Sequence, residues 1–175
     1  AKSLRLHGLS QDAHLRYQKK ESWYYEVIHR GYKYNPTDMA AAIGLNQLKK
    51  AKTFRSQREK WARLYLKELN DVDAIQCPIE QSHSTSSWHL FVIQLLSKKI
   101  KRQALIQALA KEGIHCSVHF IPLHLQPYFK KKYGYKPSDF PIAHRVYQGA
   151  ISLPLYPNLK EKEVKYVCQK IKSLV

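Results

Sequence analysis

The sequence predicts an α/β fold, in which a small mixed or antiparallel sheet is covered by helices and preceded by one or two long helices. Two kinds of pattern predict it. Apolar residues recur near the 3.6-residue helical period at 37–70, at 101–112 and from 160 onward. Short runs rich in branched and aromatic residues lie at 88–96, 114–121 and 150–153. Elements in this order pack as layers of helices on a sheet.

The long helical segment begins after Pro36, where Thr37 and Asp38 supply side-chain oxygens that can cap a helix. Its apolar stripe continues toward Asn70 and consists of Leu48, Ala51, Phe54, Trp61, Tyr65 and Leu69. The other face carries Lys49, Lys50, Lys52, Arg55, Arg58, Lys60, Arg63 and Lys67, against Glu59 as the acidic residue among them. A solvated helix face is the simplest interpretation of this basic run.

The shorter elements follow in order. A polar, serine-rich loop at 79–87 precedes the strand at 88–96, and a helix at 101–112 ends at Gly113, which suits a left-handed C-terminal cap. Alternation at 114–121 predicts a strand that places Ile114, Cys116, Val118 and Phe120 on one face. A short return strand is predicted at 150–153, before Pro154. The last helix begins near Lys160 and turns Val164, Val167, Ile171 and Leu174 inward.

The composition excludes several classes of protein. The chain has 175 residues and no run close to the ~18 apolar residues that would cross a bilayer. Its three cysteines, Cys77, Cys116 and Cys168, contain no Cys-x-x-Cys pair, so reduced thiols in a cytoplasmic protein are expected. The formal charge of +17 predicts an anionic partner, which could be nucleic acid, a nucleotide or an acidic protein.

The histidines near residue 120 do not indicate a metal site. On a strand that rises about 3.3 Å per residue, His115 and His119 would lie roughly 13 Å apart, too far to share one ion. His119 and His124 would instead leave the end of a strand, where binding sites are often built. Hydrogen-bonded loop histidines are the simpler alternative.

The segment 31–38 is a candidate anion site. Lys33 and Asn35 are two residues apart, so they would share one side of an extended segment just before a helix N-terminus. A capped loop with a solvated Lys33 is the alternative. The lysines of 130–136, mixed with Tyr128, Phe129, Tyr133 and Tyr135, could similarly hold a phosphate or a nucleobase, although a surface turn is the simpler interpretation.

Six strings in this order and spacing resemble one family across nearly the whole chain: the DegT/DnrJ/EryC1/StrS sugar aminotransferases, which use pyridoxal phosphate. The strings begin at Leu4 (LRLHG), Gly31 (GYKYNPTDMAAAIGLNQL), Ser87 (SWHLF), His119 (HFIPLHLQPY), Phe140 (FPIA) and Ile151 (ISLPLYP).

The resemblance implies the C-terminal part of a fold-type-I aminotransferase. Such an enzyme is a homodimer with shared active sites that moves an amino group, usually from glutamate, to a keto sugar linked to a nucleotide. It often serves polysaccharide or glycan synthesis. Residues 1–70 would then form the end of the large domain, the cofactor-reaching loop and the long linking helices, and residues 71–175 would form the small C-terminal domain. We expect neither a membrane partner nor a nucleic acid for such a protein.

The resemblance also implies site residues. Asn35 is the first choice and Lys33 the second for contact with the cofactor phosphate of the neighbouring subunit. His119, Phe120, His124 and Tyr128 match the wall that receives the sugar nucleotide. A common family form reads Gly-Tyr-Asn-Tyr-Arg where this chain has Gly-Tyr-Lys-Tyr-Asn, and His144 stands where the family usually has glutamate. No role is assigned to His144.

The family's cofactor lysine lies in a Ser-Phe-His-x-x-Lys string, and neither that string nor the following Glu-Gly-Gly turn occurs in this chain. We therefore expect these residues to be part of a longer enzyme and to be inactive alone, with no catalytic residue and no metal ligand among them. A basic nucleic-acid-binding module and a non-catalytic dimerisation or partner domain remain the alternatives.

Overall fold

One helix, α1, runs from Asp38 to Leu69 and confirms the predicted long helical segment as a single element. Thr37 caps it, because its Oγ1 accepts a hydrogen bond of 3.3 Å from the backbone N–H of Ala40. The computed structural model describes residues 1–10 and 24–175, which form an N-terminal unit (Ala1–Lys50) and a C-terminal unit (Ala51–Val175). The first part of α1 belongs to the N-terminal unit and the rest to the C-terminal unit. The domain boundary at residue 70 stays a prediction.

The C-terminal unit contains a small three-stranded antiparallel sheet in the order β1-β2-β3. The strands are β1 (Ile75–Gln76), β2 (Phe91–Leu95) and β3 (Ala150–Leu153), and Phe91 pairs with Leu153. Helix α2 (Arg102–Lys111) packs on β3 and on α5 (Glu161–Leu174), while α4 (Pro141–Gly149) packs on β2. Helix α3 (Pro127–Tyr133) lies next to a 3-10 turn at Leu123–Leu125. The α/β class and the small sheet are confirmed.

The core of the C-terminal unit is built by the later part of α1 against the sheet. Tyr65 and Phe91 are fully buried, and their rings stack with centroids 4.9 Å apart. The hydroxyl of Tyr65 donates a hydrogen bond of 3.0 Å to the backbone oxygen of Pro154. Leu105 of α2 and Ile171 of α5 are fully buried and complete this core. Of the four inward positions predicted for α5, Val164, Val167 and Ile171 are buried, and Leu174 is partly buried against the core.

The strand predicted at 114–121 is wrong. Ser117 alone forms a bridge in this segment, with Ser152 of β3. In the antiparallel register of this bridge, residue 115 faces Pro154, which has no N–H to donate, and residues 120 and 121 face helix α4, so β3 offers only a short edge for pairing. Ile114 and Phe120, which were predicted to share one face, differ in burial, because Ile114 is buried and Phe120 is 84% exposed. The strand predicted at 88–96 begins only at Phe91, because Trp88 has a φ of +49°, a left-handed conformation that interrupts extended backbone.

The three cysteines are free thiols, two of them buried and Cys116 half-buried. Burial raises the pKa of Cys116 to about 11 and that of Cys168 to about 12, and it also raises the pKa of Cys77. Protonated thiols are poor nucleophiles, so these side chains act as small core residues. None of the helices in residues 1–10 and 24–175 combines the length and apolar content that crossing a bilayer requires.

Gly44 offers a simple test of α1. It lies within the helix, and a Cβ built there meets no atom within 4 Å. Gly44→Ala should therefore raise the free energy of unfolding by about 0.5–1 kcal/mol, because alanine loses less backbone entropy on entering a helix. Thermal unfolding followed by far-ultraviolet circular dichroism measures the change. A lower melting temperature for this variant would contradict the described helix.

Candidate functional site

The segment that precedes α1 is held in place by the first ten residues of the chain. The N–H of Tyr32 donates to the oxygen of Leu4 (2.7 Å), the N–H of His7 donates to the oxygen of Tyr32 (2.9 Å), and the N–H of Tyr34 donates to the oxygen of Arg5 (2.9 Å). These bonds pair the two segments antiparallel around the bridge between Leu6 and Lys33. Residues 32–34 are therefore extended, as the sequence predicts.

Two glycines allow the backbones to approach this closely. A Cβ on Gly31 would lie 2.1 Å from the backbone nitrogen of Gly8, and a Cβ on Gly8 would lie 1.7 Å from the backbone oxygen of His29. Gly8 also has a φ of +74°, which side chains disfavour. No other residue fits at either position without moving backbone.

The candidate residue Asn35 is tied to Arg5. Its Oδ1 accepts a hydrogen bond of 3.1 Å from Nη1 of Arg5, across 30 residues of sequence. Lys33 is exposed on the paired segment. The sequence singles out Asn35 and Lys33 but misses Arg5, because their contact depends on the pairing of two distant segments.

The chemistry of this cluster suits a phosphate group. The guanidinium of Arg5, the ammonium of Lys33 and the amide of Asn35 all carry N–H donors, and they precede the N-terminus of α1, whose first-turn N–H groups favour anions. Asp38 in that first turn opposes an anion. Arg5 and Lys33 each bring a cationic side chain to the paired segments.

The other candidate residues lie in the C-terminal unit, in the segment 119–128 and its surroundings. His119 and Phe120 are exposed and meet edge to face, with ring centroids 4.9 Å apart. Tyr128 is 63% exposed, and its hydroxyl accepts a hydrogen bond of 3.3 Å from the ammonium of Lys132. His124 differs from these three, because it is only 6% exposed and lies against Phe140 with ring centroids 4.9 Å apart.

His124 lines an open aromatic cavity of about 560 Å³. The other lining residues are Pro122, Leu123, Phe129, Tyr133, Tyr135, Phe140 and Ala143. Within the described part of the chain, Nε2 of His124 is buried without a hydrogen-bond partner. A buried ring nitrogen without a partner carries a desolvation cost.

Lys130, Lys131 and Lys132 lie on a helix and not on the turn that the sequence favours, whereas Lys136 lies beyond the end of that helix. Pro127 starts α3, and Gly134 caps it in the left-handed conformation with a φ of +70°. Lys132 lies over the rings of Tyr128 and Tyr133, at 5.6 and 5.3 Å from their centroids. The alternation of aromatic and basic residues at 128–136 was the signal for this surface, and the sequence did not show that it encloses a cavity.

His144 lies on α4, next to Ala143 of the aromatic cavity. Its Nε2 is 3.1 Å from Nε2 of Gln148, and its Nδ1 is buried with no partner among the described residues.

A second cavity, of about 640 Å³, lies between the end of α2 and the start of α5. Ile114, Leu159 and Val167 form its apolar base, and Tyr156 and Tyr166 are among its walls. Tyr166 donates a 3.0 Å hydrogen bond to Glu112, whose carboxylate also pairs with Lys170 at 2.8 Å. The Lys170 ammonium and the Tyr166 hydroxyl hold the pKa of Glu112 below its usual range. The sequence contained no signal for this cavity.

The basic face of α1 is partly neutralised within the C-terminal unit. Arg63 pairs with Glu80 at 2.8 Å and with Glu59 at 3.4 Å, and Arg55 lies 3.6 Å from Glu59. These are exposed pairs that contribute little to stability. Across residues 1–10 and 24–175, no three or more His, Cys, Asp or Glu side chains are grouped so that they could hold a metal ion.

Comparison with known proteins gives a consistent family match. Residues 1–172 match the model of the DegT/DnrJ/EryC1/StrS aminotransferase family. The chain is 46% identical over 176 residues to the uncharacterized protein MJ1066 of Methanocaldococcus jannaschii, covering 99% of this chain and 46% of that protein. It is 41% identical over 175 residues to the spore coat polysaccharide biosynthesis protein SpsC of Bacillus subtilis, covering 98% of this chain and 45% of SpsC.

Solved structures agree with the sequence match. The PMP form of Spr1654 from Streptococcus pneumoniae, designated a sugar aminotransferase, has a TM-score of 0.75 and 30% identity, covering 98% of this chain and 43% of that one. Helicobacter pylori PseC, an aminotransferase involved in pseudaminic acid biosynthesis, has a TM-score of 0.74 and 26% identity, with coverage of 98% and 44%. The chain spans less than half the length of the curated relatives that it matches.

Proposed function

Because the chain belongs to the DegT/DnrJ/EryC1/StrS aminotransferase family, we propose that it forms part of an enzyme that transfers an amino group to a nucleotide-linked keto sugar. The amino donor is a compound such as glutamate, the cofactor is pyridoxal phosphate, and the product serves polysaccharide or glycan synthesis in the cytoplasm. The active enzyme is a homodimer with shared sites. The family match over residues 1–172 is the observation that carries this proposal.

The residues before α1 fit the phosphate of that cofactor. Asn35 and Lys33 hold it, because the amide nitrogen of Asn35 and the ammonium of Lys33 are groups that can donate hydrogen bonds to a phosphate and the helix N-terminus adds a favourable field. When bound, pyridoxal phosphate supplies an electron sink for the transfer of the amino group. This chain contributes the donors that fix the phosphate and keep the cofactor from dissociating.

The C-terminal unit receives the sugar nucleotide. His119, Phe120 and Tyr128 present exposed rings on which a sugar or a base can pack, and His124 lines the aromatic cavity. These groups orient the substrate and exclude water from one side of it. The reacting amine and the cofactor lysine come from outside the 175 residues, so this chain alone is inactive.

A complex with the missing part tests the proposal. The chain should be produced together with the polypeptide that carries the Ser-Phe-His-x-x-Lys string and then supplied with pyridoxal phosphate. We expect a yellow complex that converts glutamate to 2-oxoglutarate when a UDP- or dTDP-linked keto sugar is present. Asn35→Ala should reduce cofactor retention after gel filtration, and His119→Ala should mainly raise KM for the sugar nucleotide.

The two variants serve as controls for each other, since each should leave the other property close to wild type. A colourless complex, or wild-type behaviour of both variants, would contradict the assigned sites. If the complex retains the cofactor but converts no sugar nucleotide, the roles proposed for Asn35 and Lys33 stand, and the proposed substrate class is wrong.

A further inference from the structure

We propose that Arg5 is a positioning residue that fixes the orientation of the Asn35 amide, so that the Asn35 N–H2 group is free to donate to a phosphate. This inference rests on the proposed function, which places Asn35 at the cofactor phosphate. It adds a residue outside the 31–38 segment and states which edge of the amide meets the anion.

The orientation follows from what a guanidinium can do. Every polar hydrogen of an arginine side chain is a donor, and the group accepts no hydrogen bond. The amide atom of Asn35 that lies 3.1 Å from Nη1 of Arg5 must therefore be the oxygen, Oδ1. Since an amide carries its oxygen and its N–H2 on opposite edges, the Asn35 donors are directed away from Arg5.

The position of Arg5 is fixed by the backbone on both sides of it. The oxygen of Leu4 accepts from Tyr32, the oxygen of Arg5 itself accepts from Tyr34, and Leu6 is 7% exposed and forms the bridge with Lys33. Arg5 thus stands at a set distance from the segment that carries Asn35. Such a preorganised donor does not lose conformational entropy again when an anion binds.

The consequence for binding is specific to phosphate. An asparagine amide that rotates freely presents its oxygen to an anion in half of its orientations, and that oxygen repels it. Arg5 removes this orientation and also adds positive charge close to the site. Removing Arg5 should therefore weaken phosphate binding by more than the loss of one charge would.

Inorganic phosphate is the probe, titrated into the ¹⁵N-labelled 175-residue chain and followed through the side-chain N–H2 signals of Asn35. Arg5→Met keeps the unbranched stem but removes the donor, and we expect it to weaken phosphate binding by about five- to tenfold, as loss of one oriented charge-assisted hydrogen bond implies. Arg5→Lys, which still donates, should recover most of the affinity.

Arg30→Met is the matched control, since Arg30 is an exposed arginine of the same unit and its loss removes the same charge. The titrations are repeated in 0.5 M NaCl, where the screening length falls to about 4 Å. If Arg5 acts through its charge alone, the losses of phosphate affinity in Arg5→Met and Arg30→Met should both become smaller in 0.5 M NaCl. If Arg5 orients the Asn35 amide, the loss of phosphate affinity in Arg5→Met should persist in 0.5 M NaCl, while that in Arg30→Met should disappear.

The outcomes separate this inference from the proposed function. Equal affinities of Arg5→Met and Arg30→Met in 0.5 M NaCl would overturn the positioning role and leave Asn35 at the anion. No phosphate binding by the wild-type chain, or unchanged binding by Asn35→Asp, would overturn the anion site itself.

The wild-type chain supplies a second measurement that no folding defect can affect. Nuclear Overhauser contacts between the Asn35 N–H2 protons and the Arg5 guanidinium protons should be weak or absent, because the oxygen faces Arg5. Strong contacts would show the opposite amide orientation and overturn the inference.

Discussion

Replacing Phe91 with alanine is expected to lower the free energy of unfolding of the C-terminal unit by about 3–5 kcal/mol. Phe91 has no exposed surface, and its ring lies 4.9 Å from Tyr65 and 6.1 Å from Trp88, measured between centroids. Its removal leaves a cavity where the later part of α1 meets β2. Both Trp61 and Trp88 belong to this core, so tryptophan fluorescence during urea denaturation reports on its loss.

Leu90→Ala is the matched control for this change. Leu90 is the preceding residue and is 37% exposed, so its truncation should cost about 1 kcal/mol or less. The two variants lose a large apolar side chain at neighbouring positions and differ in burial. Destabilisation of similar size in both would show that Phe91 does not lie at the centre of the core.

The elements that the sequence predicted well are those whose signal is local. Helix α5 repeats its apolar residues at Val164, Val167 and Ile171, and all three are buried. Strand β3 occupies residues 150–153 as predicted, since it is a short apolar run closed by Pro154. In both cases the periodicity and the terminating residues lie within the element itself, so no distant contact is needed to recognise it.

The prediction of a strand at 114–121 failed because a strand needs a partner edge as well as an alternating pattern. Ile114 is buried and Cys116 half-buried, so the alternation is real at its start. The partner strand β3 supplies one bridge, at Ser152, and in that antiparallel register the residues from Phe120 onward face helix α4 instead of a strand. A pattern within one segment cannot show how long its neighbour is.

The candidate site residues also differ in whether a local signal was enough to find them. Asn35 and Lys33 were found from their spacing before a helix, and His124 and Tyr128 from a family string. The contact of Asn35 with Arg5 and the contact of His124 with Phe140 join residues that are far apart in sequence. Only the fold brings the two partners of each contact together. The orientation of the Asn35 amide and the unpaired Nε2 of His124 were therefore not predictable from the sequence.

Gly31→Ala should cause the largest functional loss in the N-terminal unit. The new Cβ would lie 2.1 Å from the backbone nitrogen of Gly8 and 2.5 Å from the carbonyl carbon of His7, so the segments 4–7 and 32–34 would have to separate. Because that pairing holds Arg5 at Asn35, phosphate affinity should fall by about tenfold or more. Phosphate titration measures the loss, and amide spectra show where the backbone has moved.

Gly44→Ala is the control, because it adds the same methyl group within the same unit and meets no neighbouring atom. It should bind phosphate like the wild type. The spectral changes of Gly31→Ala should be concentrated at residues 4–10 and 26–35, while the signals of the C-terminal core around Phe91 stay in place, because that core contains no residue of the paired segments. Wild-type phosphate binding by Gly31→Ala would mean that the anion site does not depend on this pairing and that Arg5 does not orient Asn35.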